Sequence, residues 1–507
     1  MEQAYHYLLI DGEKVKTKVR DIFIPVKERL RERNRDDLAV EPEISGNYPI
    51  YFIATTLENK KAAEAARRAL KIFRKTKIET RISVLRRWKE KLNIHKPKIT
   101  EISLAEGLSL EMIEWEFNII NSVILSEESL ARYARMAAPV IPAELEGNYI
   151  LRQPLGVVGI VVPFNAVLLL GILPIASQIV SGNTSVIKAP SVCPLSTLYI
   201  CELLQESLNA ENLPTGIINV LIGLGEIIIE EWIKARLIDG LIFIGGSGIG
   251  LKVGRACIKA GIKPILELAG SDACVVDNTV TDLEYIADLI VKARFTASGQ
   301  ICISLKRLIV HEDLQEKLLA VLKAKISKLK LGLPGEADTQ IVPLAHTDTV
   351  RYLMFAITEA VSAGAEIVCG GYRVDYQGRR VHTGLYFQPT LVTHVTADMS
   401  IMQNEILGPV LPVITFKTPE EAIALVNNSR FGLRASIWSN DQNFIQNFIE
   451  ETLAGSIIVN DFHLWLSGDV MHLGGFKQSS GTNNGGKYFI NELLASKYIA
   501  IGKKRSI

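Results

Sequence analysis

The strongest constraint on the fold is an alternation of short Val- and Ile-rich runs with helical segments, which begins near Tyr149. Gly, Pro and Asn residues separate these runs. Strands that alternate with helices form parallel βαβ units. The runs are GVVGIVV, TSVIKAP, IINVLIG, LIDGLIFIGG and PILELAG, followed by DACVVD, LPVITF and SIIVND. The sequence therefore predicts an α/β protein with two lobes.

Composition excludes several classes of protein. The 507 residues include 56 basic and 55 acidic side chains, and the resulting net charge of +1 argues against a nucleic-acid binder. The six cysteines are spread singly, with no Cys and His cluster at metal-ligand spacing, so we expect no metal site. These isolated cysteines, and an N-terminus without an apolar signal region, indicate a cytoplasmic protein.

One uncharged stretch, residues 155–187, is long enough to cross a bilayer. Pro163, Asn165, Pro174 and Asn183 interrupt it, and such residues would need protein partners in lipid. We interpret the stretch as a buried strand, loop and helix, and we expect no membrane partner.

Glycines and one cysteine lie where an open parallel sheet places its ligands. One set of glycines consists of Gly223, Gly225 and those of the FIGGSGIG segment at 243–250. Glycines at these places allow the pyrophosphate of a dinucleotide to approach a helix N-terminus. The alternative is that they form only tight turns. Cys302 in SGQICIS is a candidate nucleophile for a carbonyl carbon. The alternative is that it is a small buried apolar residue.

A carboxylate and an amide complete the candidate chemistry. Glu267 follows an apolar strand, where burial raises a carboxyl pKa enough for a general base, although an ion pair is the commoner role. Asn165 ends a buried strand, where its amide would stabilise an oxyanion or cap a turn.

The order and spacing of the motifs resemble the NAD(P)-dependent aldehyde dehydrogenase superfamily. The resemblance covers nearly the whole chain and is poorest at residues 18–48. Its motifs are PFN at 163–165, GNTSVIK at 182–188, FIGGSGIG at 243–250, ELAG at 267–270, GQIC at 299–302, NEILGPVLPV at 404–413 and GGFKQSSG at 474–481. In that family, the cysteine matching Cys302 forms a thiohemiacetal and then a thioester. The residue matching Glu267 activates water for hydrolysis, and Asn165 would hold the oxyanion.

The same resemblance implies a nicotinamide cofactor, NADP or NAD. Lys188 would contact the adenosine ribose and Glu405 the nicotinamide ribose. Ser191 stands where many NAD-preferring members carry glutamate, so a 2′-phosphate becomes admissible and NADP is slightly favoured. The further cofactor-binding residues implied are Phe164, Gly225, Gly245, Gly246, Leu268 and Leu407.

Several positions depart from the family pattern. Ile244 and Gly246 replace the usual Thr and Ser of the glycine loop, which removes a hydroxyl that contacts a phosphate. Ala269 replaces a Gly beside the nicotinamide, and Leu407 replaces a Phe. No reacting group is lost, but the substrate is not inherited from common members.

The resemblance implies an aldehyde dehydrogenase-like α/β fold with a Rossmann-type cofactor lobe, an α/β catalytic lobe and a small β oligomerisation element. We expect residues 1–140 and 157–266 in the cofactor lobe, 267–470 in the catalytic lobe, and 141–156 with 471–507 in the oligomerisation element. Family members are usually dimers or tetramers, and the apolar strand SKYIAIG needs a partner. We therefore expect a homodimer or homotetramer.

The substrate implied is a small-molecule aldehyde, which is oxidised to a carboxylic acid. The positions matching the family's aldehyde tunnel are apolar: Leu169, Leu170, Leu173, Trp465 and Leu466. Because burying an unpaired charge against them is costly, we expect an uncharged medium-chain or aromatic aldehyde. The alternative is that these leucines are simply core helix packing. Two other classes stay open at this point, a cysteine esterase without redox chemistry and a non-catalytic protein on the same fold.

Overall fold

The structure is a computed structural model that describes residues 5–26, 49–137, 147–462, 474–479, 482 and 486–502. Its strands are β1 (Tyr5–His6), β2 (Leu8–Ile10), β3 (Glu13–Val15), β4 (Val19–Ile22), β5 (Ile50–Ile53), β6 (Gly147–Pro154), β7 (Val157–Val161), β8 (Thr184–Lys188), β9 (Ile218–Leu221), β10 (Gly240–Ile244), β11 (Lys263–Glu267), β12 (Asp272–Val276), β13 (Leu305–His311), β14 (Glu366–Cys369), β15 (Arg373–Val374), β16 (Tyr386–Phe387), β17 (Thr390–Thr393), β18 (Val410–Phe416), β19 (Phe431–Gly432), β20 (Arg434–Trp438), β21 (Ser456–Val459), β22 (Phe476–Lys477) and β23 (Leu494–Ile501).

The described helices connect these strands. They are α1 (Thr56–Phe73), α2 (Ile78–Ile94), α3 (Lys96–Glu106), α4 (Leu110–Ile119), α5 (Glu127–Ala137), α6 (Leu169–Ser181), α7 (Pro194–Ala210), α8 (Gly225–Lys234), α9 (Ser247–Ala260), α10 (Leu283–Phe295), α11 (Gln315–Ile326), α12 (Thr347–Ser362), α13 (Ser400–Gln403), α14 (Pro419–Asn427), α15 (Gln442–Glu451) and α16 (Gly486–Glu492). A π-helical turn follows α4 at Ile120–Ile124, and 3₁₀ turns lie at Thr296–Gly299 and Glu312–Leu314.

The first sheet has the strand order β11-β10-β7-β8-β9-β2-β3. Its five strands from β7 to β11 are parallel, whereas β2 pairs antiparallel with both β9 and β3. The five parallel strands are those expected from the Val- and Ile-rich runs. Strand order reverses at β7, since the chain proceeds outward through β8 and β9 and then returns to the other side of β7 as β10. Ligands of open α/β sheets bind beyond the carboxyl ends of the strands at such a reversal.

The second sheet has the order β14-β17-β18-β13-β12-β20-β21. All of its pairs are parallel except β14 with β17. Strands β12 and β20 are buried along their full length, as a parallel sheet covered by helices on both faces requires. Both sheets contribute residues to one large hydrophobic core. The fold therefore contains two parallel-sheet lobes, and the lobe boundaries expected from the sequence stay predictions.

A two-stranded antiparallel ribbon joins two distant parts of the chain. Strand β6 pairs with β23 along eight residues, from Leu494 opposite Pro154 to Ile501 opposite Gly147. Ile150 and Tyr498 face each other in this ribbon and are largely exposed. Part of the segment expected to form the oligomerisation element thus forms a ribbon that exposes two large apolar side chains.

Helix α6 (Leu169–Ser181) accounts for the uncharged stretch in the sequence. Every one of its residues is buried, because it packs between the first sheet and helices α2, α4 and α5. Across the described ranges, no helix combines the length and the apolar character needed to cross a membrane.

Candidate active site

The site lies at the carboxyl ends of β7, β10 and β11, where strand order reverses in the first sheet. Phe164 and Asn165 follow β7, Gly245 and Gly246 follow β10, and Glu267 ends β11. The second sheet faces them with the loop that precedes β13. Together these segments enclose a cavity of about 340 Å³.

The loop before β13 has an unusual backbone. Ala297, Ser298 and Gly299 have φ values of 51°, 57° and 73°, three left-handed residues in succession. In residues other than glycine this conformation is rare and costs about 1–3 kcal/mol each, which contacts with neighbouring segments must offset. Here the Ser298 hydroxyl donates to the Val342 carbonyl at 2.7 Å and accepts from the Val342 N–H at 2.9 Å. The strained turn is therefore fixed by a second segment.

This turn brings Cys302 to the cavity. The Gln300 side chain continues the support, because its oxygen accepts from the N–H of Ala345 at 2.9 Å. The Asn165 amide donates to the Gln300 carbonyl at 2.9 Å, which links the end of β7 to the cysteine loop. Cys302 and Asn165 are half-buried and both line the cavity. The residues expected from the sequence to be the nucleophile and the oxyanion donor thus lie on adjacent segments of the cavity wall.

Charges around Cys302 are buried and mixed. Burial and the carboxylates of Glu267 and Glu405 raise the pKa of the Cys302 thiol to about 12, while the Lys306 ammonium acts in the opposite direction. The Lys306 side chain is fully buried and lies 3.8 Å from Glu405. Burial likewise raises the pKa of Glu405, against the effects of Lys306 and of the Gly270 N–H that donates to it at 3.1 Å. Without a bound ligand, the thiol is therefore mostly protonated at neutral pH.

The opposite end of the cavity suits an anionic ligand. Lys188 ends β8, is mostly buried, and donates to the Ser191 hydroxyl at 3.2 Å. Burial lowers the pKa of Lys188 to about 8. Helix α9 (Ser247–Ala260) begins beside them at Gly246, and a side chain at Gly246 or Gly248 would meet no atom within 4 Å. A helix N-terminus with open backbone and a nearby ammonium fits the pyrophosphate and ribose of a dinucleotide.

Gly250 has a different role from the other glycines of the loop. A Cβ atom there would lie 2.2 Å from the Leu268 side chain, so only glycine lets α9 approach the end of β11. The Ser247 hydroxyl donates to the Gln478 carbonyl at 2.6 Å and accepts from the Ala269 N–H at 3.2 Å. These contacts set the position of the helix next to Glu267.

The structure brings most of the sequence-predicted residues together. The residues that line the cavity are Cys302, Glu267, Asn165, Phe164, Lys188, Ser191, Gly245, Gly246, Leu268, Glu405, Leu407 and Leu170. Gly225 lies just outside, where a Cβ atom would be 3.9 Å from the Lys188 side chain.

The predicted substrate residues are more dispersed. Leu169 and Leu173 are buried in α6, and neither lines this cavity. Trp465 and Leu466 lie outside the described residues. The aldehyde pocket proposed from these positions therefore stays a prediction.

Two residues that sequence reasoning did not select also belong to the site. His346 lines the cavity, and its ring meets Phe164 edge-on with 5.3 Å between centroids. Lys306 contacts the Cys302 backbone from β13. A signal existed for the lysine, since it stands with Arg307 inside the apolar run LKRLIV, where charges need buried partners.

The geometry agrees with the comparisons to known proteins. The model of the aldehyde dehydrogenase family matches residues 51–499. The chain belongs to the aldehyde dehydrogenase family. This confirms the family, the fold class and the aldehyde dehydrogenase activity expected from the motifs.

Individual relatives agree with this assignment. The chain is 31% identical over 428 residues to a chloroplastic aminoaldehyde dehydrogenase of Arabidopsis thaliana, covering 82% of this chain and 83% of the relative. It is 29% identical over 446 residues to a lactaldehyde dehydrogenase of Methanococcus vannielii, with 88% and 92% coverage. A betaine aldehyde dehydrogenase from Staphylococcus aureus, solved in complex with NAD⁺, superposes with a TM-score of 0.86 at 26% identity, covering 99% and 95% of the two chains.

The left-handed turn gives a first prediction. In Gly299→Ala, the added methyl would lie 2.6 Å from the Gly408 carbonyl oxygen and 2.9 Å from that of Arg294, at a φ that alanine disfavours. We expect the free energy of unfolding, measured by urea denaturation, to fall by about 2 kcal/mol or more. Gly246→Ala is the matched control, because its site is open and its φ of −64° is ordinary. Equal stability of the two variants would contradict the role given to the turn.

Proposed function

We propose that this aldehyde dehydrogenase converts an aldehyde and water to a carboxylic acid, with Cys302 as nucleophile, Glu267 as general base and Asn165 as oxyanion donor. One observation carries the proposal. These three side chains line the same 340 Å³ cavity as the open N-terminus of α9 and the mostly buried Lys188. A nucleophile, a base, an oxyanion donor and an anion-binding helix end are the parts that this reaction needs.

Each protein group has a defined step. The Cys302 thiolate adds to the aldehyde carbon, and the resulting oxyanion accepts hydrogen bonds from the Asn165 amide and the Cys302 N–H. Asn165 already donates one N–H to the Gln300 carbonyl, which orients the amide for that purpose. When bound, a nicotinamide cofactor would accept the hydride that leaves the former aldehyde carbon, so that this carbon becomes the carbonyl of a Cys302 thioester. Glu267 then takes a proton from water, the water oxygen attacks the thioester carbon, and the Cys302 thiol is released with the acid.

The cofactor is NAD or NADP, and we propose that this chain accepts NADP. Ser191 is exposed and uncharged, and the Lys188 amine contacts its hydroxyl. No carboxylate at position 191 repels a 2′-phosphate, and the Lys188 ammonium attracts one. The absence of the glycine-loop hydroxyls at Ile244 and Gly246 leaves the α9 N-terminus and Lys188 as the main anion-binding groups.

For the substrate, we propose an uncharged medium-chain or aromatic aldehyde. Leu170 is the member of the predicted tunnel set that lines the described cavity, and the first turns of α6 around it, Leu169 to Ala176, carry only apolar side chains. The relatives named above act on polar aldehydes, according to their names, so we propose a different substrate class for this chain.

Two further expectations stay predictions. The chain is expected to form a homo-oligomer through the β6–β23 ribbon, which is supported by the exposed Ile150 and Tyr498. A cytoplasmic location is also expected.

The catalytic roles predict two different phenotypes. Cys302→Ala should lower aldehyde oxidation, followed as NAD(P)H absorbance, by about 10³ or more while cofactor binding persists. Glu267→Gln should give an NAD(P)H burst in the first turnover and a steady-state rate reduced by about 10² or more, because thioester hydrolysis fails. Cys369→Ala, which removes another half-buried thiol, should retain wild-type activity. A steady state unchanged in Glu267→Gln would assign the base to another residue.

The cofactor proposal predicts a charge and a pH effect. Ser191→Glu should raise the KM for NADP by about tenfold, equivalent to about 1.4 kcal/mol, and leave that for NAD similar. Lys188 carries its charge below the pKa of about 8 and loses it above. The dissociation constant for NADP should therefore increase between pH 7 and pH 9 in the wild type, measured by fluorescence titration. Equal effects of Ser191→Glu on both cofactors would refute the assignment of this position.

The substrate proposal is tested with a panel of aldehydes. We expect the kcat/KM for hexanal or benzaldehyde to exceed that for betaine aldehyde and succinic semialdehyde by about tenfold, because a charge buried against leucine costs several kcal/mol. A Leu170→Ala variant should lose hexanal activity more than activity on a two-carbon aldehyde. A kcat/KM about tenfold higher for either charged aldehyde would contradict the proposed apolar pocket.

A further inference from the structure

Lys306 is a fully buried lysine on β13 (Leu305–His311), and its ammonium points back to the cysteine loop. It donates to the carbonyl oxygen of Ile301 at 2.8 Å and to that of Cys302. The third neighbour is Glu405, whose carboxylate oxygen lies 3.8 Å away. An ammonium group has three donors: two are used by these carbonyls, and Glu405 balances the charge as an ion pair.

The acceptors of Lys306 come from two separate segments. Ile301 and Cys302 belong to the nucleophile loop, whereas Glu405 precedes β18 (Val410–Phe416). Glu405 also accepts from the N–H of Gly270, next to the general base segment. A single cation therefore connects the nucleophile, the proposed ribose-binding carboxylate and the end of the β11 segment.

Other charged groups also face the thiol. Glu267 from β11, Glu405 from the loop before β18, and Asp272 from β12 disfavour the thiolate. Lys306 favours it from β13, and Arg434 from β20 is electrostatically coupled to the same sulfur. Three carboxylates surround a group that must become an anion, so the position of each cation matters.

The neighbouring buried cation on the same strand has different partners. Arg307 donates to the carbonyls of Ser271, Leu425 and Val426, all at about 3 Å and none in the cysteine loop. Successive residues of a strand point to opposite faces. Arg307 therefore holds the outer elements of the lobe, and Lys306 holds the site.

We propose that Lys306 is a positioning residue for the nucleophile: its ammonium fixes the Ile301–Cys302 backbone against Glu405 and supplies the positive charge that the Cys302 thiolate requires. This inference rests on the proposed role of Cys302. A lysine that served only to fill a buried space would satisfy the same carbonyls without affecting the ionisation of the thiol.

The test measures the rate at which iodoacetamide alkylates Cys302, followed on the peptide that contains Cys302 by mass spectrometry. In Lys306→Met we expect the rate constant at pH 8 to fall about tenfold and to recover when the pH is raised by about one unit, which corresponds to a thiol pKa one unit higher. General loosening of the fold would instead expose the thiol and increase the rate. The two roles therefore predict opposite signs.

Arg307→Met is the matched control, because it removes a buried cation from the adjacent position of the same strand. Its alkylation profile should stay within about twofold of the wild type. A rate that is unchanged or higher in folded Lys306→Met, with folding checked by near-UV circular dichroism, would overturn the proposal.

A second variant pair covers the case in which Lys306→Met alone fails to fold because it strands the Glu405 charge. Lys306→Met in a Glu405→Gln background removes both charges together, and it should still alkylate about tenfold more slowly than Glu405→Gln alone. Equal rates for that pair would also overturn the proposal. Because alkylation needs neither aldehyde nor cofactor, a wild-type protein inactive on every aldehyde would refute the proposed function and leave this result standing.

Discussion

The site depends on a strained turn that neighbouring segments hold in place. Ala297, Ser298 and Gly299 are left-handed in succession, and this sharp reversal after α10 aims the following residues at the cavity. Ser298 is fixed by Val342, and Arg294 fixes the other side by donating to the carbonyls of Val410 and Ile406. The backbone energy stored in the turn is therefore offset by contacts in the second sheet, and the position of Cys302 is set without a bound ligand.

The electrostatic environment around this turn disfavours ionisation of the Cys302 thiol. Burial and nearby carboxylates keep the Cys302 thiol protonated in the ligand-free protein. Asp272 shows the same low-polarity environment, because burial raises its pKa to about 7 even though Lys306 and Arg434 act against that change. A cysteine in such surroundings resists unwanted oxidation and ionises when positive charge is brought close to it.

Much of this arrangement was predictable from the sequence because it depends on local patterns. Apolar runs of five to seven residues between glycine turns identified the parallel strands, and polar residues after those runs identified the cavity edge. Residues whose role depends on distant partners were harder to identify. In the sequence, nothing near Lys306 identifies Glu405 as its partner, because the two residues are far apart in the chain. Likewise, the pairing of β2 with β9 joins residues about 200 positions apart. In α6 the hydrophobic periodicity does not show which residues face the cavity, since every residue of the helix is buried and Leu170 is the one that lines the cavity.

The altered glycine loop can be divided into residues that line the cavity and residues that hold the helix. Ile244 and Gly246, the two departures from the family pattern, lie at the cavity surface. Gly250 and Ser247 instead determine how closely α9 approaches Leu268 and Ala269. The helix N-terminus therefore keeps its position relative to Glu267, although one hydroxyl donor is absent. The departures in this loop therefore alter the surface that faces the cavity, while the position of α9 beside Glu267 is set by contacts of Ser247 and Gly250.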